Sequence, residues 1–147
     1  MSLNSAFGGE KLILLIVCAW VAMSTSLGWT NSLSADDDER RKKSGELFMR
    51  KVRPIFVEHC IECHTGQRPE SMFDLSSRKG VLKGGELLGP ALDVDQPLKS
   101  ILLHVVKDED EVAMPPAGQL DKKEIEAIEE WLRLGGVWPK GVELKSR

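Results

Sequence analysis

Apolar residues recur at helical spacing along much of the chain. From Ser44 to Val57 they fall on one broad face, and Ser44 is placed to cap the helix that this pattern predicts. Pro54 lies inside the stretch, so we expect the helix to break or restart there. A second apolar stripe begins at Pro97, a residue that suits the first position of a helix. Both stretches are therefore predicted to be helical.

The strongest helix signal lies near the end of the sequence. Asp121 and Glu124 have the spacing of a capping box, and Gly135-Gly136 marks the end of the helix. We expect this helix to cross the first one, with Trp131 at or near the crossing. The apolar stripe consists of Ile125, Ile128, Trp131 and Leu132.

The N-terminal stretch has the order of a secretory signal. Lys11 precedes an uncharged apolar run from Leu12 to Met23, and small and polar residues follow the run. This run is short for a membrane span, which needs about 20 residues. We predict that residues 1–34 are a signal peptide, cleaved after Ser34 or nearer to Ser26 or Gly28. If the peptide is retained, it is a candidate membrane anchor.

A block of acidic residues and then a block of basic residues follow the leader. Residues 36–43 contain no apolar side chain to bury, which predicts a solvated linker over 35–43. A docking role for the basic half is the alternative. The globular domain is then expected over 44–141, with a short tail over 142–147.

Composition narrows the class of protein. The 147 residues carry a formal net charge of −3, which gives no electrostatic case for nucleic acid binding. The length suits one domain. Of the three cysteines, Cys18 lies in the leader, which leaves Cys60 and Cys63 for the mature domain.

These two cysteines belong to the sequence Cys60-Ile61-Glu62-Cys63-His64. C-x-x-C-H is the attachment signature of a c-type haem. The two thiols can add across the two vinyl groups of one haem, and the neighbouring imidazole of His64 then reaches the iron. The motif therefore predicts a covalently bound haem.

Three other chemistries fit the same residues. A thioredoxin-type pair expects a βαβ context, which the pattern does not indicate. A closed zinc site with His64 needs a fourth ligand, and only His59 and His104 remain as further histidines. A structural disulfide is permitted in an exported chain. We expect His59 to be a surface residue.

A methionine in a proline-rich loop is the candidate ligand for the other side of the iron. In Met114-Pro115-Pro116 the two prolines fix the backbone and remove two N–H donors, which suits a loop that holds one side chain in place. Met114 follows His64 by 50 residues, so the intervening helices can wrap the haem. A Met ligand raises the reduction potential. Met72 and His104 are the alternatives for this position.

These stretches, in this order, resemble class I c-type cytochromes and most of all the planctomycete-type cytochrome c domain. The resemblance runs from about Phe56 to Pro139. Besides the haem motif, it rests on Phe73-Asp74-Leu75-x-x-Arg78, Lys83-Gly84-Gly85, Pro97-Leu98-x-Ser100-x-Leu102, Met114-Pro115-Pro116 and Trp131-Leu132-x-x-Gly135-Gly136-Val137-Trp138-Pro139.

The resemblance implies an all-α, cytochrome c-like fold in which the N- and C-terminal helices cross around one covalent haem. It places the haem thioethers at Cys60 and Cys63 and the axial ligands at His64 and Met114. The chain departs from many relatives in two ways. Thr65 separates the motif histidine from the glycine, and we expect the domain to stand without the much longer protein that follows it in many relatives.

The implied function is that of an exported mono-haem cytochrome of the periplasm, active in one-electron transfer. It would be a carrier or haem subunit rather than an enzyme, so any catalytic partner would be a separate chain. Its partners would be redox proteins, with a membrane only if the leader is retained. A haem peroxidase or a gas or redox sensor with an open sixth site is the alternative. The sequence offers no convincing distal His–Arg pair for it.

Overall fold

The structure is a computed structural model that describes residues 29–66, 69–109 and 112–146. The chain divides into two compact units, residues 1–38 and 39–147. The helices are α1 (Trp29–Leu47), α2 (Arg53–His59), α3 (Arg78–Lys83), α4 (Ile101–Lys107) and α5 (Lys122–Arg133). A π-helical turn covers Phe48–Val52, and 3₁₀ turns cover Glu70–Met72 and Pro97–Lys99. The described residues contain no strand, only an isolated bridge between Gly85 and Gly89, in agreement with the predicted all-α class.

The predicted linker is helical. Residues 35–43 lie within α1 and are exposed, as expected for a solvated segment, but they do not interrupt the helix. The block contains no proline or glycine, and Lys43 Nζ lies 3.6 Å from the carboxylate of Glu39 one helical turn earlier. The predicted apolar run Leu12–Met23 lies outside the described residues. Within the described part of the chain, no helix is both long and apolar enough to cross a membrane.

Pro54 lies at the point where the helix changes its hydrogen-bonding pattern. The N–H of Arg53 donates to the carbonyl of Phe48, a bond that spans five residues and closes the π-helical turn. α2 then begins with Pro54 in its first turn, where a missing N–H has little cost. The expected restart near Pro54 is confirmed.

Four aromatic side chains form the centre of the core. Phe48, Phe56, Trp131 and Trp138 are buried, and Phe48 lies 5.5 Å from Trp131 and 4.4 Å from Trp138 between ring centroids. Phe56 lies 6.0 Å from Trp131. The expected contact between Trp131 and the first helical stretch is therefore present. Phe56 belongs to this aromatic cluster.

The helix predicted from Pro97 is divided into two parts. Ser100 adopts an extended conformation between the 3₁₀ turn and α4, and its buried hydroxyl accepts a hydrogen bond from the backbone N–H of Asp93 at 3.0 Å. This contact fixes Ser100 outside the helix. The capping box of α5, by contrast, is formed as predicted between Asp121 and Glu124.

The segment predicted to be a short tail contacts the core. Leu144 is 2 % exposed, and its N–H donates to the carbonyl of Ser76 at 2.8 Å. The indole N–H of Trp138 donates to the carbonyl of Val142 at 2.8 Å. Burial of one leucine and these two hydrogen bonds hold residues 142–144 against the domain.

Ser44 connects the first and last helices. Its buried hydroxyl donates to the carbonyl of Trp131 at 3.2 Å and accepts from the N–H of Val137 at 2.9 Å. We expect Ser44→Ala to reduce the free energy of unfolding by about 1–3 kcal/mol, because it leaves backbone groups without their partner. Urea unfolding followed by circular dichroism measures this loss. The exposed Ser146→Ala is the matched control, and an equal effect of both substitutions would contradict the assigned role.

Candidate functional site

An apolar pocket lies between the turn after α2, the loop before α3, α4 and the segment around Met114. It encloses about 690 Å³ of space not occupied by protein atoms, including space open to solvent. Its lining contains few polar atoms. Such a pocket favours a large apolar ligand with a few specific polar contacts. The lining includes Cys60, His64, Phe73, Leu102, Val105 and Met114.

The backbone after α2 directs two motif residues into this pocket. The amides of Cys60 and Ile61 donate to the carbonyl of Phe56 at 3.0 and 2.9 Å, and the amide of His64 donates to the carbonyl of Cys60 at 3.0 Å. Ile61 is completely buried and anchors the turn. Cys60 and His64 line the pocket, whereas Cys63 is exposed and does not.

The imidazole of His64 is held with one nitrogen unsatisfied. The backbone carbonyl of His64 accepts a hydrogen bond from the N–H of Leu75 at 2.7 Å, and the centroid of the imidazole ring lies 5.1 Å from that of the Phe73 ring. Its Nδ1 is buried and has no hydrogen-bond partner. A buried polar atom without a partner is costly, and metal coordination is a common role for an imidazole nitrogen. The environment of His64 therefore fits a ligand to haem iron.

Met114 reaches the same pocket from a distant part of the sequence. Its N–H donates to the carbonyl of Val105 at 2.8 Å, which attaches the loop to α4. The N–H of Gly118 donates to the carbonyl of Pro115 at 3.3 Å, which closes the turn after the methionine. The half-buried Met114 then lines the pocket together with His64.

The alternative ligands lie elsewhere. Met72 is 49 % exposed and does not line the pocket. His104 Nδ1 lies 3.1 Å from a carboxylate oxygen of Glu109. His59, expected at the surface, is half-buried, and its Nε2 lies 2.9 Å from Glu124 Oε1. Among the described histidines and methionines, His64 and Met114 alone line this pocket.

The electrostatic environment differs between the two cysteines. Burial, followed by the nearby charges of Glu124 and Cys63, raises the pKa of Cys60 to about 12.

Both thiols are free, so no disulfide joins them. The described residues contain no cluster of three or more His, Cys, Asp or Glu side chains that could hold a metal ion. Both thiols therefore remain available for a covalent bond to a ligand.

The raised pKa leads to a test of the haem-free chain. Because the thiolate is the nucleophile, we expect iodoacetamide at pH 8 to modify Cys60 at least about ten-fold more slowly than the exposed Cys63. The Cys60 rate should increase as the pH is raised towards 12. Peptide mass spectrometry gives both rates, and the urea-unfolded chain is the control, in which the difference should vanish. Equal rates in the folded chain would contradict this environment.

Part of the pocket wall was not predicted from the sequence. Leu87, Leu88 and Val112 line the pocket, although Leu87 is 68 % exposed. Gly84 and Gly89 shape the loop that carries the two leucines, since the carbonyl of Gly89 leaves no room for a Cβ at Gly84, whose φ is +73°. The sequence pattern that could have predicted this part of the wall is the pair of adjacent leucines in a turn bounded by glycines.

Comparison with known proteins gives one match. The family model of planctomycete cytochrome c matches residues 60–118. This range contains the C-x-x-C-H motif and Met114, whereas the resemblance in the sequence motifs extends to Pro139. No curated protein and no solved structure gives a significant match. Residues 60–118 are therefore similar to the planctomycete cytochrome c family.

Proposed function

We propose that this chain is an exported mono-haem c-type cytochrome that carries single electrons between other proteins. The supporting observation is the arrangement of the pocket. Cys60, His64 and Met114 line one apolar pocket although Met114 follows His64 by 50 residues. The planctomycete cytochrome c match over the same part of the chain supports haem as the ligand.

Each residue has a defined role in this proposal. Cys60 and Cys63 hold one haem through thioether bonds, and His64 and Met114 are the axial ligands of its iron. Haem supplies an iron that changes between the ferrous and ferric states. The apolar walls, including Phe73 and Leu102, exclude water from the site. Because His64 and Met114 would both bind the iron, no coordination position would remain for a substrate, which favours a carrier over an enzyme.

The rest of the proposal concerns fold, location and partners. The contact between Phe48 and Trp131 supports a cytochrome c-like fold with crossing terminal helices. The signal-like residues 1–34 support export, and c-type haem is attached outside the cytoplasm. Redox proteins are the expected partners, and a membrane is expected only if the leader is retained. The start of the domain at 44 also belongs to this proposal.

Covalent attachment is tested on the full chain, produced with its leader and a haem-maturation system. After denaturing extraction, we expect haem to remain on the polypeptide. It should be lost in the double variant Cys60→Ser, Cys63→Ser and kept in Cys18→Ser, which changes the cysteine of the leader. Haem that is extracted from the wild-type chain would contradict the proposal.

Two spectroscopic measurements separate the carrier from a haem enzyme or sensor. The oxidised protein is expected to show the weak long-wavelength band of Met–iron ligation, and the reduced protein should not bind CO at neutral pH. A covalent haem that lacks this band and binds CO would instead support an open or displaceable sixth position.

A further inference from the structure

Positive charge is concentrated on one part of the surface, although the chain as a whole has a formal net charge of −3. Three adjoining grooves form this surface, which we call the basic face. The largest groove is lined by Trp138 and its neighbours. It shares Pro139 with a second groove beside Arg50 and Glu143 with a third groove beside Arg53. The cations that line the three grooves are Arg41, Lys42, Arg50, Arg53, Arg78, Lys79, Lys140 and Lys145.

Few negative charges balance these cations. Glu46 and Glu143 are the carboxylates that line the three grooves, against eight Lys and Arg side chains. In the described part of the chain, none of the eight forms an ion pair. Other basic residues do form pairs: Lys107 Nζ lies 2.8 Å from Glu129, and Arg133 contacts two glutamates. A groove lined by one sign of charge concentrates its potential and attracts the opposite charge.

The largest groove also has room for another polypeptide. No atom lies within 4 Å of the point where a Cβ would stand at Gly135 or at Gly141, both of which line the groove. A concave surface lined by cations fits an extended chain better than a flat lipid surface. Carboxylate side chains are the natural partners of Arg and Lys, and Arg can bind them in a bidentate manner.

From these observations we propose that the basic face binds an acidic, Asp- and Glu-rich segment of a partner protein. No residue lines both this face and the apolar pocket. The basic face and the pocket are therefore separate sets of residues. This inference concerns a second surface of the protein and does not depend on the ligand in the pocket.

The test uses the full haem-loaded protein and a fluorescein-labelled peptide of alternating Glu and Gly residues. Fluorescence anisotropy measures Kd for the wild type and for the variant Arg78→Glu, Lys79→Glu, Lys140→Glu. We expect Kd to rise at least about ten-fold in this variant and to rise steeply with salt in the wild type. A Gln and Gly peptide should not bind.

A control variant with the same change in net charge tests whether binding depends on the basic face or on the overall charge of the protein. Lys99→Glu, Lys122→Glu, Lys123→Glu alters three exposed lysines that line none of the three grooves and changes the net charge by the same amount. We expect its Kd to change less than about three-fold. A neutral variant, with Gln at positions 78, 79 and 140, should weaken binding to an intermediate degree. Absorption spectra and thermal melts of every variant establish that the domain is intact.

Two outcomes would overturn the proposal. One is an equal loss of affinity in the two charge-reversal variants, which would assign binding to net charge alone. The other is absence of peptide binding, whether or not the wild type binds vesicles of phosphatidylglycerol and phosphatidylcholine. Vesicle binding that is lost in the Arg78, Lys79 and Lys140 variant, without peptide binding, would identify an anionic membrane as the occupant.

Discussion

Met114→Ala is expected to lower the reduction potential by on the order of 0.1 V or more. Axial ligands set haem potentials over a range of about 0.8 V, and a Met ligand raises the potential of a c-type cytochrome. Loss of the thioether also opens the sixth position, so the reduced variant should bind CO. Spectroelectrochemical titration and CO difference spectra measure the two effects on the haem-loaded protein.

The chain offers a matched control for this experiment. Met72 is 49 % exposed and does not line the pocket, so Met72→Ala should leave the potential and the CO response unchanged. An unchanged potential in Met114→Ala, or a shift in Met72→Ala instead, would contradict the assignment of Met114 as the axial ligand.

Trp131→Ala should have the largest effect on stability. The side chain is completely buried, lies against Phe48 and Phe56, and donates its indole N–H to the carbonyl of Val137 at 3.0 Å. Truncation of a buried tryptophan costs about 3–5 kcal/mol, a large part of the 5–15 kcal/mol that is typical of whole domains. Urea unfolding of the haem-loaded protein measures the loss.

Two further variants define the origin of this effect. Trp131→Phe keeps much of the apolar contact but removes the hydrogen bond, so it should cost less than the alanine variant. Met49→Ala truncates a side chain that is 40 % exposed and should cost less than about 1 kcal/mol. If Trp131→Ala costs no more than Met49→Ala, the aromatic cluster is not the main source of stability.

Features with a local cause could be predicted from the sequence. The capping box of α5 needs only Asp121 and Glu124 at the correct spacing, and the restart near Pro54 follows from a missing N–H. The importance of Met114 followed from its proline-rich loop and from a family resemblance. The structure adds the observation that Met114 and His64 line one pocket.

Features that depend on distant contacts could not be predicted. The break at Ser100 is fixed by a hydrogen bond from the N–H of Asp93, a contact that the periodicity of the apolar stripe does not reveal. Leu144 is one of only two apolar residues in the short segment 142–147, so periodicity gave no sign of its burial against the loop at Ser76. Helix propensity and an ion pair to Lys43 extend α1 through a block that charge alone predicted as a linker.

One carboxylate connects the turn that carries the haem motif to the last helix. Glu124 Oε1 lies 2.9 Å from His59, and Oε2 accepts the N–H of Asp121 at 3.0 Å. The two segments are therefore expected to open as one cooperative unit, with amide protons at Cys60 and Glu124 exchanging at similar rates. During synthesis α5 emerges after the motif. Cys60, whose thiol lies close enough to Glu124 to be affected by its charge, is therefore expected to be more accessible before α5 docks than after it.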